Sequence, residues 1–277
     1  MPELPEVETV RRSLLGKIED QSIFQVDVLH PKVVEPLSAE QFGAMVQHKR
    51  ISCLRRRGKY LLVDLRPQGL LLIHLRMTGR LALVDPDLPR PKHTHVVLHL
   101  SSGKELRFID PRRFGQVRYL ADEESVDAGG FAQLGVEPLS DEFTTDYLYS
   151  VTRRRRVAIK GLLLNQAVVA GLGNIYVDEA LFEASIDPEC VAGELTREQI
   201  ERLVTAIRHV IAEGIANRGS SFRDYVDAQG ERGSYQELWR VYAREGEPCT
   251  RCGTTIIRKR VAGRSSHVCP NCQKGER

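Results

Sequence analysis

The chain has 277 residues, 42% of them hydrophobic and 28% charged, which is ordinary for a soluble globular protein with room for two or three modules. No apolar run approaches the roughly 20 residues needed to span a bilayer. The first residues carry Glu3, Glu6 and Glu8 where a signal peptide would be basic and then apolar, so a cytoplasmic protein with no membrane partner is expected. The net charge of +3 hides an uneven distribution: Arg240 to Arg277 hold nine Lys or Arg against three Glu, which leaves the rest of the chain slightly negative. A basic tail on a near-neutral body suits an anionic partner, and charge alone leaves DNA, RNA and lipid open.

In chain order, residues 5–15 read as a helix, with Pro5 near the first helical position and Val7, Val10 and Leu14 at helical spacing. Short apolar runs follow at Tyr60–Leu65, Leu70–Leu75, Val96–Leu100, Glu105–Ile109 and Gln116–Leu120. They are separated by turn residues such as Pro67-Gln68-Gly69 and Ser101-Ser102-Gly103. This pattern predicts an antiparallel sandwich or barrel ending near residue 133. From about 145 to 217 the period becomes helical. A helix is expected to start at Asn174, after Gly171-Leu172-Gly173. A second follows the capping box of Thr196 and Gln199, with Ile200, Leu203, Val204, Ile207, Ile211 and Ile215 on one face. The long connection Ala184–Leu195 between them resembles a helix-turn-helix variant, whose helix N-terminus offers N–H groups to a phosphate. Residues 217–236, rich in Gly and Ser, read as a flexible binding loop or a mobile connector.

Cys249-x2-Cys252 and Cys269-x2-Cys272 are spaced so that each pair can meet one tetrahedral ion, which predicts one structural zinc with no open coordination position. So short a tail has little core, so the metal supplies folding free energy. Between the pairs, Arg258-Lys259-Arg260-Val261-Ala262-Gly263-Arg264 reads as a basic hairpin tip that sets the Arg264 guanidinium against a phosphate. Cys53 and Cys190 stand apart in hydrophobic contexts and are expected to be buried small hydrophobes.

The chain opens Met1-Pro2-Glu3-Leu4-Pro5-Glu6-Val7-Glu8-Thr9. Once Met1 is removed, Pro2 carries a free secondary amine, part of it neutral at pH 7, and its attack on an electrophilic carbon gives an iminium directly. This opening segment resembles the start of the formamidopyrimidine-DNA glycosylase family of bacteria. Further landmarks along the whole chain are similar to that family: Arg57-Gly58-Lys59-Tyr60, His74-Leu75-Arg76-Met77-Thr78-Gly79, Asp110-Pro111-Arg112-Arg113-Phe114-Gly115, Gly171-Leu172-Gly173-Asn174-Ile175-Tyr176, and the four-cysteine finger with Arg264.

The resemblance implies an α+β protein. A catalytic β-sandwich occupies residues 1–133, a helix–two-turn–helix domain with a lesion-reading loop 134–239, and a zinc-finger hairpin 240–277. The implied activity is that of a bifunctional glycosylase and abasic-site lyase of base excision repair. It acts as a monomer on double-stranded DNA carrying an oxidised purine, chiefly 8-oxoguanine or a formamidopyrimidine, and is associated with the nucleoid when on DNA. The target nucleotide must leave the stack to be reached.

The implied catalytic residues are Pro2 as nucleophile, Glu3 as acid/base, Lys59 near the reaction centre in β-elimination, and Arg264 on the flanking phosphates with a part in δ-elimination. Met77, Arg112 and Phe114 correspond to residues that fill the hole left by the flipped base, Arg112 facing the orphan cytosine. His93, Arg156 and Asn174 match DNA contacts, and His74 and Lys160 are further candidates for phosphate. Three other readings compete: an endonuclease VIII-like enzyme preferring oxidised pyrimidines, a damage binder without chemistry, and a zinc-ribbon RNA-binding protein that would account only for residues 240–277. Leu4 and the Met77/Arg112/Phe114 trio favour the purine branch.

Overall fold

The computed structural model describes residues 1–122, 130–221 and 225–274. It forms two compact units, Met1–Ala132 with Arg218–Ser234, and Gln133–Asn217 with Tyr235–Arg277.

The first unit opens with α1 (Leu4–Leu14), whose Val7, Val10 and Leu14 point into the core. Two four-stranded antiparallel sheets follow. One has β1 (Ile23–Val28), β6 (Thr94–Leu100), β7 (Glu105–Ile109) and β5 (Arg80–Val84) in that order; the other has β2 (Arg50–Arg57), β3 (Tyr60–Arg66), β4 (Leu70–His74) and β8 (Gln116–Leu120). Leu61, Val63, Ile73 and Val117 of the second sheet share one core with Leu81, Val96, Leu98, Leu106 and Phe108 of the first, so the sheets form a sandwich. Helix α2 (Ala39–Val46), capped by Ser38, adds Phe42 and Val46 to this core.

The expected strands are all present, and β1, β2 and β5 join them. β2 reads RISCLRRR and gives the core only Ile51 and Leu54, so its arginines disguise it in the sequence. The burial expected for Cys53 is not found. A register shift between Ile51 and Cys53 breaks the strand's alternation, which turns Ile51 and Leu54 inward and leaves Cys53 exposed. Cys190 is only partly buried.

The segment 217–236, expected to be flexible, is tied down where it is described. Glu6 Oε1 accepts the Ser220 N–H at 2.7 Å, and Tyr225 donates its hydroxyl to Glu6 O at 2.9 Å. Asp227 pairs with Arg218 and accepts the N–H groups of Gln229 and Glu231, and Leu83 N–H reaches Ala228 O at 2.8 Å. Residues 222–224 lie outside the described residues.

The second unit packs α3 (Thr145–Thr152), α4 (Ile159–Leu163), α5 (Asn174–Glu183) and α6 (Arg197–Ala216). α5 begins at Asn174 as the sequence predicts, and α6 follows the Thr196/Gln199 capping box. Tyr176 of α5 stacks on Tyr235 with centroids 5.1 Å apart. A side chain at Gly214 would collide with that ring, which explains a glycine inside α6. Glu179, buried in α5, accepts the N–H groups of Arg240, Val241 and Tyr242 and so fixes the chain entering the finger. Burial drives its pKa upward against those bonds. β9 (Ile257–Val261) and β10 (Arg264–Val268) form the predicted hairpin, closed by Ala262 and Gly263 at φ +49° and +75°, the two-residue turn that matches strand twist.

Candidate functional site

In the first unit the N-terminal segment meets the sheet β2-β3-β4-β8. Pro2 and Glu3 are buried, Glu3 is the N-cap of α1, and its N–H is held by Glu6 Oε2 at 2.8 Å. Helix α1 packs against β2 and β3, and Lys59, 6% exposed, sits in the turn that joins those strands. A salt link aligns helix and turn: Arg56 donates from Nε to Glu8 at 3.1 Å and from Nη1 to Gly58 O at 3.1 Å. Burial alone would raise the Glu8 pKa, but hydrogen bonds and charge from Arg11, Arg12 and Arg56 pull it down to about 2. Neither Glu8 nor Arg56 stands out in the sequence, because their pairing depends on the fold.

His74, at the end of β4, is buried edge-on against Tyr60. Burial, with Arg76 and Lys59 nearby, depresses its pKa to about 3. Its Nδ1 accepts the Arg76 N–H at 2.9 Å, so the neutral ring carries its proton on Nε2 and offers one uncharged donor.

Two loops of the same unit expose Met77 (40%) and Phe114 (52%), with the Arg112 guanidinium 4.8 Å from the Phe114 ring centroid. Exposed apolar side chains of this size next to a cation suit contact with flat, polarisable partners. Between the loops lies Asp110, fully buried. It accepts from Thr78 Oγ1 (2.5 Å), Arg112 N (3.1 Å), Phe114 N (2.8 Å) and Gly115 N (2.7 Å). The Asp110 N–H donates to His93 O at 3.0 Å; His93 is part-exposed, and its Nδ1 has no partner.

The second unit holds Arg156, Lys160, Asn174, Arg264 and the cysteines. Arg156 and Arg264 are exposed, Arg264 at the first position of β10. Asn174 donates from Nδ2 to Ser265 O at 3.0 Å, joining the start of α5 to the residue after Arg264. Lys160 departs from the sequence expectation. Its ammonium is completely buried and donates to Asp178 Oδ1, Ser265 O and Ser266 Oγ at 2.6–2.7 Å. With its protons committed inside the unit, Lys160 is not a phosphate contact. It braces the hairpin behind Arg264, and only burial, which the sequence does not display, separates the two roles.

The sulfur atoms of Cys249, Cys252, Cys269 and Cys272 all lie within 4.8 Å of one another. Sγ–Sγ separations of 3.9 Å (Cys249–Cys272) and 3.5 Å (Cys252–Cys269) fit the edges of about 3.8 Å expected for a tetrahedron of Zn–S bonds near 2.3 Å. Backbone N–H groups of Arg251 and Cys272 point at Cys249 and Cys269 sulfur, as thiolate ligands require. The residues therefore fit one structural zinc with four protein ligands.

Three family models match the chain in order. Residues 1–117 match the formamidopyrimidine-DNA glycosylase N-terminal domain, 134–226 the H2TH domain of the same enzymes, and 246–275 the zinc finger found in FPG and IleRS. Sandwich, helical module and finger together define a zinc-finger DNA-repair glycosylase by class. Similar relatives include the formamidopyrimidine-DNA glycosylases of Pelotomaculum thermopropionicum, 50% identical over 275 residues and 99% of both chains, and of Desulforamulus reducens, 50% identical over 277 residues and all of both chains. Among solved structures, a Lactococcus lactis FPG mutant with Fapy-dG-containing DNA is similar over 99% of this chain and 100% of that one, at 37% identity and a TM-score of 0.92. The L. lactis Fpg complex with abasic-site DNA matches equally well. This chain belongs to the formamidopyrimidine-DNA glycosylase family.

Proposed function

We propose that the protein removes oxidised purines, chiefly 8-oxoguanine and formamidopyrimidines, from double-stranded DNA and then cleaves the strand through an iminium on Pro2. The observation that carries this reading is the N-terminal arrangement. Pro2 and the carboxylate of Glu3 are buried at the start of α1, which packs on the two strands whose turn holds Lys59. While Met1 is attached, Pro2 nitrogen is an amide, so the chemistry begins only after Met1 is cleaved.

In the proposed sequence, the neutral Pro2 amine attacks C1′ of an extruded nucleotide, the bond from C1′ to the base breaks, and the departing base takes up the proton that the Pro2 nitrogen loses. Glu3 protonates the sugar ring oxygen as the ring opens, which leaves an iminium between C1′ and Pro2. The iminium draws electrons from C2′. Loss of a C2′ proton, assisted by Lys59, expels the 3′ phosphate, and a second elimination expels the 5′ phosphate. Water then releases Pro2 from the remaining sugar fragment.

Arg264, Arg156 and Asn174 contact phosphates of the strand, and His93 and neutral His74 supply further donors. Met77 and Phe114 are already exposed and fill the space left by the flipped nucleotide, while Arg112 reaches the opposite base. Zinc contributes only by holding the hairpin that carries Arg264.

Substrate class is tested with Met1-free protein on duplexes carrying 8-oxoguanine or thymine glycol. A wild-type L. lactis relative has been solved with DNA containing an oxidised pyrimidine, which makes this comparison the sharp one. Faster incision at 8-oxoguanine supports the purine reading, and a strong preference for thymine glycol overturns it in favour of the endonuclease VIII-like alternative.

A further inference from the structure

We propose that Asp110 is a positioning residue that sets the hole-filling side chains as one unit, by clamping the Met77 loop to the Arg112–Phe114 loop. The inference rests on the reading above that Met77, Arg112 and Phe114 act in the vacated stack.

The four donors divide between the two carboxylate oxygens. Oδ2 accepts Phe114 N and Gly115 N and closes the turn that presents Phe114. Oδ1 accepts Arg112 N and the hydroxyl of Thr78, which follows Met77 in the other loop. One ionised carboxylate can accept all four, and no neutral isostere can. The clamp is also compact. A side chain at Gly115 would meet Phe108 Cζ at 2.5 Å and Asp110 Oδ2 at 3.2 Å, so only glycine lets the turn close on the carboxylate. The backbone of Asp110 extends the link, with its N–H on His93 O (3.0 Å) and its carbonyl meeting His95 Nε2 (2.7 Å).

Exposed side chains on two separate loops gain no order from a core of their own. Without the clamp each would find its place on the DNA independently, at a cost in conformational entropy when the hole is filled. The carboxylate of Asp110 spends its bonds on the two loops, so its effect falls on duplexes that must be opened and not on elimination from a strand that is already single.

The test uses full-length, zinc-loaded, Met1-free protein. Thr78→Val removes only the hydroxyl that joins the loops and keeps the side chain's shape. Asp110→Asn keeps the shape but places an amide donor against a pair of donors. Two rates are compared: base excision from a duplex with a central 8-oxoguanine, and cleavage of a single-stranded oligonucleotide with a preformed abasic site. For each variant the duplex rate should fall about tenfold or more, the size of one lost hydrogen bond to a charged group. The single-strand rate should stay within about twofold. 2-Aminopurine opposite the lesion should show a reduced fluorescence change on binding. Phe114→Ala in the Thr78→Val background should cost less than in the wild type, because the two act together. Equal losses on both substrates, or a duplex rate unchanged in Thr78→Val, overturn the clamp. If the wild type excises no purine but cleaves the single-stranded abasic site, the substrate reading fails and the clamp falls with it; an active wild type with unaffected variants sinks the clamp alone.

Discussion

Replacing Glu8 by Gln tests how the nucleophile's helix is registered on the strand turn that carries Lys59. Glu8 is 6% exposed and receives Arg11 and Arg12 at 2.8 Å and Arg56 at 3.1 Å. Arg12 is more than half exposed and adds little, so the effect lies with Arg11 and Arg56. A pKa lowered from 4.5 to about 2 corresponds to at most about 3 kcal/mol of folded-state stabilisation at neutral pH. Because the folded pKa is the lower one, this contribution is complete above about pH 4.5 and is lost as pH falls towards 2. Hydrogen exchange of the β2 and β3 amides is the suitable readout, since the single Trp239 lies in the other unit and reports on unfolding there. At pH 7, Glu8→Gln should weaken protection of these strands by about 2–3 kcal/mol, and the gap to wild type should shrink to roughly half near pH 3. Strand cleavage should fall as well, through displacement of Lys59. A gap under about 0.5 kcal/mol at pH 7, or one that stays constant between pH 5 and pH 3, would refute the reasoning.

Chelation of zinc, or Cys252→Ser, should unfold the hairpin around Arg264 and abolish binding of lesion duplexes; metal content measured beside binding checks this, and unchanged binding by metal-free protein contradicts it. Lys160→Ala takes the ammonium away from buried Asp178, whose carboxylate then keeps only the Ser266 hydroxyl and the His267 N–H, so it should destabilise the second unit by about 3–5 kcal/mol. A melting temperature matching wild type would restore Lys160 to the surface role that the sequence suggested. Phe114→Ala removes an exposed side chain, so thermal stability should change by no more than about 0.5 kcal/mol while duplex excision falls sharply; a large stability loss would mean that Phe114 belongs to a core.

Features decided within a few residues were legible in the sequence. The zinc ligands follow from the spacing of two Cys pairs, and the start of α6 from the Thr196/Gln199 box. The strands with uninterrupted apolar runs, such as Leu70–His74, declare themselves because both their faces are buried. What was hidden depends on partners far away in the chain. β2 is masked by its arginines, and the outward turn of Cys53 follows from a register shift that composition does not encode. Lys160 reads as a surface cation until the fold encloses it with Asp178 and Ser266. Asp110, Glu8 and Glu179 resemble ordinary acidic residues, and their importance lies in the backbone and guanidinium donors that the tertiary structure brings to them. The exposed Met77 and Phe114 are the reverse case. As apolar residues beside strands they read as core, and the family motif was the sequence signal that set them apart.

The most direct measurement is borohydride trapping on duplex DNA carrying 8-oxoguanine, followed by mass analysis of the N-terminal peptide. Protein lacking Met1 should form a covalent adduct that maps to Pro2, and protein retaining Met1 should bind the same duplex without forming one. An adduct mapping to Lys59 or another residue, or no adduct from correctly processed protein that still binds, would contradict Pro2 as the nucleophile.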